Sequence, residues 1–81
     1  MEENNTQYKF ERPNKSNVNL GDLLITEING HVEVLPIRRV NDDSVEAKDH
    51  EMHRRLYDEV VVYTRDGKLL CGEHTTYPLG Y

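Results

Sequence analysis

The sequence predicts an α+β fold, a small antiparallel sheet of two hairpins with one intervening helix (ββαββ). Three observations carry this reading. Asn29-Gly30 and Asp66-Gly67 each interrupt a run rich in β-forming residues, the pattern of a tight hairpin. Between the hairpins, residues 41 to 59 read "NDDSVEAKDHEMHRRLYDE", where apolar residues recur at helical spacing.

The first hairpin is "LLITEINGHVEVLPI", residues 23 to 37. A type I′ turn needs positive φ at both central positions, which Asn and Gly tolerate. With Asn29-Gly30 as the loop, Ile28 opposes His31, Glu27 opposes Val32, Ile25 opposes Val34 and Leu23 opposes Pro36. Leu23, Ile25, Val32 and Val34 then share one face. Thr26, Ile28, His31 and Glu33 share the other. An apolar patch that agrees across both strands is what a correct register produces.

The helix is expected over about residues 44 to 57. Asp43 followed by Glu46 resembles a capping box, and Ser44 is an equally good cap. Val45, Met52 and Leu56 form an apolar stripe, with Asp49 filling its gap. Acids crowd the first half, and Arg54 and Arg55 suit the last turn.

The second hairpin is "EVVVYTRDGKLLCGEH", residues 59 to 74. A two-residue loop at Asp66-Gly67 pairs Arg65 with Lys68, Tyr63 with Leu70, Val62 with Cys71 and Glu59 with His74. Val60, Val62, Leu69 and Cys71 then share a face. Val61, Tyr63 and Leu70 share the opposite one, so the hairpin sits centrally in the sheet.

A helix covering one face of an antiparallel sheet is an economical arrangement for this order of elements. The order resembles the front part of the ubiquitin-like β-grasp, without its fifth strand. The alternative is a small SH3-like barrel with residues 42 to 58 as a long loop. Residues 1 to 17 are expected as a flexible arm, 18 to 76 as the single domain and 77 to 81 as a tail. Tyr8 and Phe10 would share one side of a short edge strand if that part of the arm is extended.

Eighty-one residues suffice for one domain with a thin core. Fifteen acids against ten bases give a net charge of −5, which argues against non-specific nucleic-acid binding. One cysteine cannot form an internal disulfide, which fits a reducing cytoplasmic setting. "MEENNTQ" lacks the apolar stretch of a leader, and no run approaches the ~20 apolar residues that span a bilayer.

His50, His53, Cys71 and His74 fall within zinc-ribbon spacing. Cys71 and His74 lie three apart in an expected strand, however, where an odd separation points side chains to opposite faces. On the apolar face a lone cysteine behaves as a small hydrophobe. No metal or other cofactor is therefore assigned. The chain carries no P-loop, dinucleotide fingerprint or nucleophile motif. The carboxylate pairs Asp42-Asp43 and Asp58-Glu59 flank the expected helix, where acids serve as caps and dipole partners. No catalytic residue is named, and the expected function is non-enzymatic.

What remains is a small acidic protein-binding module, an adaptor or inhibitor that docks on a larger protein. In composition alone it resembles the small, acidic, cysteine-poor inhibitors of phages and mobile elements. Its candidate partner-binding residues are Tyr57, Tyr63, Tyr77 and Tyr81, because tyrosine anchors interfaces. Arg38, Arg39, Arg54 and Arg55 join them as the chain's one basic clustering. An edge strand could also pair with a second copy. The alternative function is a small nucleic-acid-binding barrel built on the four arginines, and a weaker one is a zinc-stabilised domain.

Overall fold

The computed structural model describes residues 11–74. It is nearly all antiparallel sheet, a curled half-barrel of six strands, with no α-helix among the described residues. The strands are β1 (Leu23–Ile28), β2 (His31–Val40), β3 (Ser44–Lys48), β4 (Met52–Leu56), β5 (Val61–Tyr63) and β6 (Leu69–Cys71), with a single 3₁₀ turn at Tyr57–Glu59 before β5. Their order across the sheet is β4-β3-β2-β1-β5-β6.

The β1–β2 hairpin forms in the expected register, from Ile28 opposite His31 to Leu23 opposite Pro36. Asn29 at φ 54° and Gly30 at φ 84° give the left-handed pair that a type I′ turn needs. Pro36 is tolerated inside a central strand for a geometric reason. The flanking bond from the Ile37 amide to the Asp22 carbonyl (2.8 Å) makes Pro36 opposite Leu23 a non-hydrogen-bonded pair. The missing N–H therefore points away from β1, and pairing with β3 begins only at Ile37.

The expected helix is the main correction. Residues 44 to 57 instead form the β3–β4 hairpin and the start of the 3₁₀ turn. Val45 and Ala47, two apart, point to one side and are fully buried, while Met52 and Leu56 of the supposed apolar stripe are exposed. A helix would have placed Asp49 on its buried face. In the hairpin Asp49 lies in the turn, its carboxylate accepting the Glu51 amide at 2.8 Å and contacting His53 Nε2 at 3.0 Å. The Glu51 amide, and then His53, hold the Asp49 carboxyl below its ordinary pKa. The supposed caps have other partners. Ser44 donates to Asp43 and accepts from Arg54 Nε at 3.1 Å. A weak propensity signal has yielded to the need of β2 for a pairing partner along its second half. The β-grasp likeness falls with the helix. The all-β alternative is nearer in class, but its long loop is in fact a paired hairpin.

A second correction concerns the Asp66-Gly67 turn. Tyr63 opposes Leu69, Val62 opposes Leu70 and Val61 opposes Cys71, one step away from the expected register. The loop has three residues, not two. The Thr64 amide donates to the Lys68 carbonyl at 2.8 Å, and Gly67 takes φ 90°, the left-handed position that follows a type I turn in such loops. The Thr64 hydroxyl, which accepts the Lys68 amide at 2.9 Å and donates to Asp66 Oδ1 at 2.5 Å, favours the longer loop. One step of register exchanges faces, so Leu70 joins Val62 while Leu69 and Cys71 join Tyr63 and Val61.

The core fills the concave face: Leu24, Leu35, Ile37, Val45, Ala47, Val60, Val62 and Leu70, closed by Val18. Residues 11 to 22 run beside β6, where the Cys71 amide donates to the Glu11 carbonyl at 3.1 Å, and on to β1. Arg55 ties the two halves of the curl together, its Nε donating to the buried Thr26 hydroxyl at 3.0 Å and its Nη2 to the Glu27 carbonyl at 3.4 Å.

Candidate functional site: an open apolar sheet face

The register places a second apolar surface on the convex side of β1, β2, β5 and β6. One cross-strand row reads Leu69, Tyr63, Leu23, Pro36, and the next reads Cys71, Val61, Ile25, Val34. Glu27 and Val32 end the face at the hairpin tip. Cys71 and Val61 are buried, but exposure rises along their row until Val34 is 54% exposed. Val32 and Tyr63 are similarly open at 56% and 45%. Antiparallel sheets ordinarily turn polar side chains to water, and here Glu27 is the sole charge among ten positions.

The arginines predicted to form one patch are divided by strand alternation. Arg54 stands on the convex side in a row with Glu46 and Arg39, and Arg55 lies on the concave side. Arg38 is the extra residue of the bulge between Ile37 and Arg39 and is exposed. Arg54 is also paired with Asp43 at 3.3 Å, at a well-hydrated site where such a pair contributes little. Arg39 and Arg54 thus flank a carboxylate, a poor phosphate site.

The tyrosines separate as well. Tyr57 packs against the core, and its hydroxyl donates to the Asn41 carbonyl at 2.6 Å, so it closes the fold. Burial, followed by the charges of Asp42 and Asp43, raises its pKa above 10.0. The expected result of Tyr57→Phe is a loss of about 1 kcal/mol in chemical denaturation. The Tyr57 contribution should also be complete below about pH 10 and decline as pH rises toward the higher folded-state pKa, because the unfolded chain ionises first. Of the two described tyrosines, Tyr63 stands on the open face. Tyr77 and Tyr81 lie outside the described residues, as do Tyr8 and Phe10.

His50 lies in the β3–β4 turn and His53 on β4, so no helix brings the two to one face. The His74 amide donates to the Asp58 carbonyl at 2.8 Å, and Cys71 is buried beside β5. No group of three or more His, Cys, Asp or Glu side chains converges among the described residues. Burial raises the Cys71 thiol pKa, which leaves it a weak nucleophile.

A cleft of about 400 Å³ lies between residues 17 to 22 and the β5–β6 turn, lined in part by Glu11, Asp22, Thr64, Asp66 and Lys68. Its acids are occupied in shaping the backbone. Asp22 accepts the amides of Asn19 (2.8 Å) and Arg65 (3.1 Å), and Glu11 accepts from Asn17 at 3.0 Å. The Thr64 hydrogen bond holds the Asp66 carboxyl below its ordinary pKa, making it a poor proton acceptor near neutrality.

No family model, curated protein or solved structure matches this chain. No helix among the described residues is long and apolar enough to cross a membrane. The open face was within reach of the sequence, since Leu23, Ile25, Val32 and Val34 were grouped correctly. The missing signal was that Leu24, Leu35 and Ile37 supply a second, better-buried set.

Proposed function

We propose that this chain is a non-enzymatic protein-binding module, of the adaptor or inhibitor kind, that docks on a larger protein through the convex face of β1, β2 and β5. The exposed side chains of Val32, Val34 and Tyr63 on this face carry this reading. Contiguous apolar surface rimmed by polar residues marks interaction sites, and covering it releases ordered water at about 25 cal/mol per Å². Tyr63 supplies a rigid aromatic anchor with a polar tip. The arginine-patch reading is weaker because strand alternation separates Arg54 from Arg55 and Glu46 lies between Arg39 and Arg54.

The test is affinity capture from the native host with three baits, followed by mass spectrometry. Proteins held by the wild type should be lost with Val34→Asp and kept with Arg54→Ala, while both variants melt within a few degrees of the parent, as surface changes do. Capture unaffected by Val34→Asp would remove this face from consideration.

A further inference from the structure

The charges bordering the open face bear on the chemistry of the partner it takes. The bond from the Gly21 amide to the Ile37 carbonyl (3.0 Å) carries the β1–β2 pairing one step past Leu23 opposite Pro36. At this end the face runs into Arg65, two residues beyond Tyr63, and the bulge residue Arg38, two beyond Pro36, with Gly21 between them. Arg65 is fixed at its backbone by buried Asp22, which accepts its amide at 3.1 Å. Its side chain lies across Gly21, with Cδ and Nη1 each 3.7 Å from the point a Cβ there would occupy. Among the described residues no hydrogen bond or ion pair engages either guanidinium. Arg54, by contrast, is joined to Asp43, and Arg55 to Thr26. Arg65 also lines the cleft together with Glu11, Asp22 and Asp66, yet its guanidinium, like that of Arg38, is bonded to none of them, so two cations with unengaged donors stand at one end of an almost uncharged apolar strip.

We propose that the face accepts a segment of another protein that presents apolar side chains ending in one or more carboxylates, which lie between Arg38 and Arg65. This rests on the docking reading above. A guanidinium fork matches a carboxylate in two hydrogen bonds, and a carboxylate set between two cations relieves their mutual repulsion. The apolar rows supply affinity and the arginines supply orientation and choice of partner.

The probe is a library of random 12-residue peptides displayed on phage and selected against the folded full chain, with the best peptide then synthesised for titration. Enriched sequences should combine several apolar residues with Asp or Glu at one end. The synthetic peptide should bind about tenfold more weakly to the Arg38→Ala, Arg65→Ala double variant and weaken as salt is raised. Binding that disappears with Val34→Asp but shows no acidic preference and no response to the arginine changes would overturn this inference and leave the docking reading standing. Failure to enrich any sequence, or binding indifferent to Val34→Asp, would overturn both. A monomer–dimer equilibrium in sedimentation, abolished by Val34→Asp, would assign the face to a second copy and also overturn the inference.

Discussion

Gly72→Ala is expected to be the most damaging single-methyl change in the protein, with a loss of about 3 kcal/mol or more, at the upper end of what forced overpacking costs. A Cβ on Gly72 would lie 2.6 Å from the Asp58 carbonyl oxygen, 2.5 Å from its carbon, and closer still to the Tyr57 carbonyl oxygen. All three atoms belong to the backbone of the 3₁₀ turn, so no side chain can rotate aside. The Gly72 amide is itself bonded to the Val60 carbonyl at 2.8 Å, and the next bond, from His74 to Asp58, would be strained with it. A domain of this size has roughly 4–12 kcal/mol of total stability. Urea denaturation of the variant should therefore show a much lower midpoint with an unchanged slope. The control is Gly30→Ala, where a Cβ meets nothing within 4 Å and the φ of 84° alone opposes the change, at about 1 kcal/mol. Equal losses at the two glycines would contradict the close approach of β6 to the turn.

Leu24→Ala should cost about 2–5 kcal/mol, the usual range for emptying a fully buried leucine site. Val34→Ala, ten residues further along the chain and on the opposite face, should stay within about 0.5 kcal/mol, as exposed substitutions do. The pair reports directly on which face of the β1–β2 hairpin is the inside. Similar losses at both positions would show that the convex face is covered by the chain itself, and the proposed docking surface would go with it.

That inside–outside choice is not contained in the sequence of one hairpin. The Asn29-Gly30 register was legible because the turn chemistry admits one solution, and the grouping of Leu23, Ile25, Val32 and Val34 followed from it. Which group is buried does not follow from one hairpin, because Leu24, Leu35 and Ile37 are equally apolar on the other side. Burial is decided by β3 and β5, which bring Val45, Ala47 and Val62 to the Leu24 side. Residues 44 to 57 misled for a related reason. Val45, Met52 and Leu56 fit a helix by spacing, and only pairing with β2 across the short connection at residues 41 to 43 makes Val45 and Ala47 the informative residues. At Asp66-Gly67 the dipeptide marked the turn correctly, but the Thr64 hydroxyl bonds to Lys68 and Asp66 added a residue to the loop. The candidate site inherits both lessons. Tyr63 was named from the sequence and lies on the open face, but Tyr57 was named beside it and is a structural group. The valines that make the surface had been read as a sign of correct pairing rather than as a place to bind.

The length of β2 has a further consequence. It pairs with β1 through its first residues and with β3 through its last, turning at the Arg38 bulge from one half of the curl to the other. Neither half owns its inner wall. Leu24, Leu35 and Ile37 share one core with Val45 and Ala47, so the two halves are expected to unfold together, in a single thermal or denaturant transition.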